Sequence, residues 1–192
     1  MKENSPDNLT VSEGLLKRIL GPAADEVGII LRDSVRAYRQ KNLSKILPHG
    51  LELVKASKLE PQEIPMRTLI PIIECASIED NEFLAGKWAG LIASAATAQD
   101  TTANHPCFPQ ILSELSPLDA MILDHLWEPD RPKQWKEFKE LQCSKYGLSE
   151  KALNMTFASL DRAGLCVNSS EYYFTELGIA FMTAVSGPSS RS

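Results

Sequence analysis

The feature that most constrains the fold is a run of apolar residues at helical spacing between Val27 and Val54. Its members recur every three or four residues, which is the period of one helix face, and they include Ile30, Leu31, Val35, Tyr38, Leu43, Ile46, Leu47 and Leu51. Pro48 lies inside the run and clashes with the carbonyl of Ser44, so we expect a kink or two successive helices there. Because a long helix cannot bury its apolar face alone, other helices of this chain or of a second copy must cover it.

The chain as far as residue 115 continues with helical patterns. Ser77 is followed three residues later by Asp80, an arrangement that resembles a capping box, and an apolar stripe at helical spacing then runs from Phe83 to Ala95. Gly86 and Gly90 lie in the same helix, where we expect them to let another helix approach closely. The sequence therefore predicts several packed helices in this part of the chain.

The last third of the chain has a different order of elements. Ser116 opens a helix, the segment WKEFKELQCSKYG forms a second, and Ser149 caps a third. The segments LCV and YYF then flank a polar turn, which is typical of a short β-hairpin, and Thr175 caps a final helix. Three helices, a hairpin and a helix are the order of elements in a winged helix-turn-helix.

These patterns predict a mainly α fold. A helical N-terminal part contains the long amphipathic helix, and a winged-helix-like C-terminal part contains the small β-hairpin. We place the helical domain at residues 15–115 and the winged-helix-like domain at 116–185, with a flexible N-terminus at 1–14 and a flexible tail at 186–192.

Composition excludes several classes of protein. With 43% apolar residues and a net charge of -5, the chain is neither disordered nor fibrous. The N-terminus has no apolar signal segment, and the most apolar stretch, residues 84–98, contains Lys87 and is shorter than the roughly 20 residues of a membrane span. The cysteines are spaced too widely for a disulfide framework or a zinc motif, and they are Cys75, Cys107, Cys143 and Cys166. We therefore predict a cytoplasmic protein with buried thiols and no membrane span.

The sequence contains no glycine-rich phosphate loop, no HExxH and no GxSxG, which are motifs that carry catalytic or binding chemistry. We interpret His105, close to Cys107, as a turn residue in preference to a base or ligand, and the acids Glu79, Asp80 and Glu82 as charges that complement a helix N-terminus. The sequence accordingly predicts no catalytic residue, no cofactor and no metal. An enzyme whose site is assembled from distant residues stays as a third alternative.

Three arginines of the long helix, Arg32, Arg36 and Arg39, are spaced so that they share one face. Guanidinium groups bind planar anions with two hydrogen bonds, so these side chains are candidates for gripping phosphate or an acidic partner. The alternative, which we favour, is a solvated face or ion pairs with residues 61–115, a segment whose net charge is -5.

Lys151, Asn154 and Arg162 are the candidate contacts of the third helix in the winged-helix-like part. Binding to DNA draws most of its non-specific affinity from basic residues. This helix has no excess of them, because Glu150 and Asp161 balance its lysine and arginine. Nucleic-acid binding is possible, but a protein contact or a structural role is at least as well supported.

Several blocks of the sequence resemble the Abi-alpha family, a bacterial family named for abortive infection. The blocks are LGPAADEVG at 20–28, VRAYRQKNL at 35–43, the stretch at 64–95, HPCFPQILSELSPLDAMIL at 105–123 and YYFTELGIAF at 172–181. Their order and spacing over most of residues 15–182 make the resemblance fairly specific.

The resemblance implies a mainly helical bacterial protein connected with phage resistance, in which an infected cell stops growing or dies before phage matures. It implies no catalytic residues. Our leading hypothesis is a non-enzymatic interaction or effector protein of phage defence, which binds a protein partner or associates with itself through the long helix. The alternative is a winged-helix transcriptional regulator that binds DNA.

Overall fold

The computed structural model describes residues 18, 21, 36–98, 105–129, 135–168 and 172–188. Within these ranges the chain is mainly helical with one two-stranded antiparallel sheet, which confirms the predicted fold class. The elements in chain order are α1 (Arg36–Ser57), α2 (Met66–Ser77), α3 (Glu82–Thr97), α4 (Phe108–Glu114), α5 (Pro117–Trp127), α6 (Trp135–Tyr146), α7 (Glu150–Arg162), β1 (Cys166–Asn168), β2 (Tyr172–Phe174) and α8 (Glu176–Val185). The predicted flexible N-terminus at 1–14 and residues 189–192 of the predicted tail lie outside the described residues.

The chain divides into two compact units. The first unit contains the described residues as far as Ser113 together with those from Thr183 onward, and the second unit contains Glu114–Met182. The first unit is therefore assembled from two stretches of sequence. The last residues of α8 belong to it, although α8 begins in the second unit.

The long apolar run forms α1 from Arg36 onward, and its earlier part, residues 27–35, lies outside the described residues. α1 continues through Pro48 as one helix, so the expected division into two helices does not occur there. Both Pro48 and Ser44 lie on the exposed side of α1, where water can hydrate the carbonyl that proline leaves without a donor.

The apolar side of α1 packs against α3 of the same chain. Leu43, Ile46 and Val54 are each 3% exposed or less. At Gly50 the two helices come so close that an added Cβ would lie 3.2 Å from the carbonyl oxygen of Ala89. α3 therefore covers most of the described part of the predicted apolar face, whereas Tyr38 is 42% exposed.

The junction between α2 and α3 differs from the prediction. Ser77 is not an N-cap but the last residue of α2, and its hydroxyl donates to the carbonyl of Glu74 at 2.7 Å. Asn81 caps α3 instead, because its Oδ1 accepts from the backbone N–H groups of Phe83 and Leu84 at 3.0 and 3.1 Å. The Glu79 carboxylate in turn accepts from the Asn81 N–H at 2.8 Å. Of the three acids near this junction, Glu79 therefore has a structural role, because it holds the residue that caps α3.

The two glycines of α3 have opposite surroundings. A Cβ at Gly90 would overlap the carbonyl oxygen of Val185 and lie 2.8 Å from its carbonyl carbon, whereas a Cβ at Gly86 would have no atom within 4 Å. Close approach of another helix, as predicted, therefore occurs at Gly90, where the end of α8 lies against α3.

Three helices that begin in the second unit, α5, α7 and α8, start at the predicted caps. At α5, Ser116 accepts from the Asp119 N–H at 3.1 Å while the Asp119 carboxylate accepts from the Ser116 N–H at 2.9 Å, which completes a capping box. Ser149 caps α7 by accepting from the Ala152 N–H at 3.1 Å. Thr175 caps α8 through the N–H of Gly178 at 2.9 Å.

The hairpin pairs Cys166 with Phe174 and Val167 with Tyr173. Cys166 is buried, and the Phe174 ring meets the ring of Trp127 edge-on at 5.3 Å, so one face of the hairpin packs into the second unit. The helices and hairpin follow the predicted order, and the more specific interpretation as a winged helix stays a prediction.

Candidate interaction surfaces

The arginines predicted as contacts lie at the start of α1. Arg36 is the first residue of the helix and is exposed, and Arg39 is half-buried, while Arg32 lies outside the described residues. Residues three, four and seven positions apart share a side of a helix, so Arg36 and Arg39 lie on the side that further along carries the buried Leu43 and Ile46. Arg39 is therefore partly covered, whereas Arg36, the first residue of the helix, stays exposed.

The exposed charged side chains of α1 are mainly basic. α1 contains five lysines and arginines and one glutamate, Glu52, so its net charge is +4 in a chain whose total is -5. We define the basic surface of α1 as its exposed cationic side chains, namely Arg36, Lys41, Lys45 and Lys55. Only Arg36 was predicted from the sequence as a contact.

One member of the basic surface has a carboxylate beside it. Lys45 Nζ lies 3.5 Å from Glu82 Oε1, and the two side chains are 52% and 88% exposed. An ion pair this exposed contributes between zero and roughly 1 kcal/mol and is screened by salt. An acidic partner can therefore displace Glu82 at little cost.

A shallow groove runs beside this ion pair. It measures about 200 Å³ and is lined by Lys45, Ile46 and His49 of α1 and by Glu82, Ala85 and Gly86 of α3. Sites for drug-sized ligands measure roughly 300 to 1,000 Å³, so this groove is suited to one side chain of a partner. Gly86 leaves room there for such a side chain.

The candidate contacts of the second unit share the outer side of α7. Lys151, Asn154 and Arg162 are all exposed, and between them lies Met155, whose exposed fraction is 65%. The charges of α7 cancel, because Glu150 and Asp161 offset the lysine and arginine. A neutral surface with a prominent methionine is better suited to a protein than to the phosphates of DNA.

A cluster of titratable side chains joins α5 to α6. His125 Nδ1 donates to the Met121 carbonyl at 2.8 Å, so its Nε2 is the acceptor, and this nitrogen lies 2.6 Å from the Tyr146 hydroxyl and 3.1 Å from Lys145 Nζ. The hydrogen bond to Tyr146 raises the pKa of Lys145 above its ordinary value. Both nitrogens of His125 are thus engaged: Nδ1 bonds within α5, and Nε2 joins α5 to α6.

The cluster around His125 was not predicted from the sequence, because its members are separated by 20 and 21 residues. His105 and Cys107, which were singled out, do meet: Cys107 Sγ lies 2.8 Å from His105 Nδ1. In the described ranges, no three His, Cys, Asp or Glu side chains come close enough together to hold a metal ion.

Comparison with known proteins identifies a family that matches the chain. The sequence profile of a family described as abortive infection alpha matches residues 35–139, which is more than half of the chain and runs from the start of α1 into α6. No curated protein and no solved structure matches the chain. None of the helices in the described part has the length and apolar content that crossing a bilayer requires.

Proposed function

Because the chain belongs to the abortive infection alpha family, we propose that it is a cytoplasmic phage-defence protein that acts by binding an acidic protein partner and not by catalysis. The family match carries the phage-defence part of this proposal. The role of such a protein is to stop the growth of an infected cell, or to kill it, before phage matures.

The binding part of the proposal is supported by the charge of α1. This helix lies inside the matched region and has a net charge of +4, and four of its cationic side chains are exposed. The groove beside Lys45 adds a place for one side chain of the partner. Basic side chains steer an acidic partner toward the surface and fix its orientation.

The non-catalytic part is supported by the contacts of several groups that could act as acids or bases. Asp119 completes the capping box of α5, Glu79 accepts from Asn81, and His125 is held between Met121 and Tyr146. Each of these side chains has a structural contact that accounts for its position.

The test is a challenge of bacteria with a panel of phages, with and without the gene. We expect fewer plaques with the gene. We also expect infected cells that carry the gene to stop growing and to release less phage. Unchanged plaque counts across a broad panel would contradict the phage-defence role.

Two double variants test where the partner binds. Arg36→Glu with Lys41→Glu lowers the net charge of α1 to zero, and we expect it to abolish protection. Lys151→Glu with Arg162→Glu changes the charge of α7 by the same amount, and we expect it to retain protection. All four residues are exposed, so each change should alter stability by no more than about 0.5 kcal/mol. The reverse result would place the binding surface on α7.

A further inference from the structure

The turn before α4 brings a thiol and an imidazole into contact. Cys107 Sγ lies 2.8 Å from His105 Nδ1, and Pro106 between them restricts the backbone. The His105 ring also packs against the ring of Phe108, with centroids 5.5 Å apart, and Phe108 is only 1% exposed. The buried Phe108 thus supports the imidazole from one side, while His105 itself is exposed to solvent.

The hydrogen bonds around His105 define which nitrogen carries the proton. The backbone N–H of Cys107 donates to His105 Nδ1 at 3.4 Å, and because an N–H group can only donate, Nδ1 is the acceptor. The neutral ring then holds its proton on Nε2. The thiol of Cys107 therefore donates to the lone pair of Nδ1, which is the arrangement of a nucleophile beside its base.

The environment of Cys107 makes a base necessary. Desolvation by partial burial raises the pKa of the Cys107 thiol, and the hydrogen bond from its own backbone N–H lowers it by less. Near neutral pH the thiol is accordingly protonated, and the thiolate is the form of cysteine that attacks. Fast reaction of Cys107 at neutral pH therefore requires a base that removes its proton during the attack.

We propose that Cys107 is a site of oxidation by hydroperoxides, with His105 as the base that accepts the thiol proton. The sulfur attacks one oxygen of the peroxide, an S–O bond forms and the O–O bond breaks. The thiol proton moves to Nδ1 and then to the departing oxygen, which leaves as water or an alcohol. The sulfur loses two electrons and becomes a sulfenic acid, and the peroxide is reduced.

The experiment treats the full chain with hydrogen peroxide at pH 7 in the presence of dimedone, which traps sulfenic acid, and follows each cysteine by peptide mass spectrometry. Cys143 is the internal control, because it has the same intermediate exposure and, among the described residues, no hydrogen bond to a histidine. We expect Cys107 to be labelled at least about tenfold faster than Cys143, a modest effect for a general base.

The matched variant is His105→Gln, which we expect to slow Cys107 by about tenfold or more while Cys143 keeps its rate. Cys166 is 1% exposed and reports folding, because it is labelled only if the variant opens. Equal rates at Cys107 and Cys143, or a Cys107 rate that His105→Gln leaves unchanged, would overturn the proposal.

If Cys166 is labelled in His105→Gln, that variant is not properly folded. The role of His105 is then tested with the unmodified chain in deuterium oxide. Slower labelling of Cys107 than in ordinary water, without slowing of Cys143, supports proton transfer to His105 during the attack. The same isotope effect at both cysteines would overturn it.

Discussion

Gly86 and Gly90 lie one turn apart on α3, and replacing each by alanine gives a matched pair of variants. Both changes improve the intrinsic helix propensity by about 0.5 to 1 kcal/mol. The structure predicts that the stability changes nevertheless have opposite signs, because only one of the two glycines has backbone against it.

The alanine methyl at position 90 would overlap the carbonyl oxygen of Val185 and lie 2.8 Å from its carbonyl carbon and 3.1 Å from the Gly187 nitrogen. These neighbours are backbone atoms, which cannot rotate away as a side chain can. Overpacking of this kind costs roughly 1 to 3 kcal/mol or more. After the gain in propensity, we expect Gly90→Ala to destabilise the chain by about 2 kcal/mol.

Gly86→Ala meets no atom within 4 Å, so only the gain of about 0.5 to 1 kcal/mol remains. For a chain of this size each kcal/mol corresponds to roughly 2 to 4 °C in Tm, so the two variants should differ by about 6 to 12 °C. Thermal denaturation followed by circular dichroism measures the difference. If Gly90→Ala is as stable as Gly86→Ala, the contact between the end of α8 and α3 is wrong.

Three further substitutions test the interior. Gln142 is 1% exposed and its Oε1 has no hydrogen-bond partner in the described chain, so Gln142→Met should raise stability by about 1 kcal/mol, seen as a higher urea midpoint with an unchanged slope. Asn42 Nδ2 donates to the Ser77 carbonyl at 3.0 Å inside the first unit, so Asn42→Ala should cost about 1 to 3 kcal/mol, and an unchanged Tm would contradict this. Ser116→Ala removes the acceptor for the Asp119 N–H and should lower the unfolding free energy by about 1 kcal/mol in urea titrations.

Helix starts were the most predictable features, because a cap is a local hydrogen bond between residues two or three positions apart. The structure confirms the predicted caps, which are Ser116, Ser149 and Thr175. The prediction that Ser77 is an N-cap was wrong for an equally local reason. A serine hydroxyl can also donate to a carbonyl of its own helix, and the competing cap Asn81 follows four residues later.

The surroundings of a residue could not be predicted where they are formed by residues distant in the sequence. Nothing in the spacing of Gly86 and Gly90 distinguishes them, since the difference arises at Val185, far along the chain. The arginine spacing on α1 was visible, but the side of the helix that α3 covers was not. The contact between His105 and Cys107 could be predicted only in part. The two residues are close in sequence, but the orientation of the His105 ring depends on its packing against Phe108.

The assembly of the first unit from two stretches of sequence has a consequence for how the protein is made in the cell. The backbone that lies against Gly90 is synthesised only after the whole of the second unit has been translated. While the ribosome is still adding those residues, α3 has been made but the carbonyl of Val185 is not yet there to meet it. The nascent chain therefore completes the first unit after, and not before, the ribosome has produced the second.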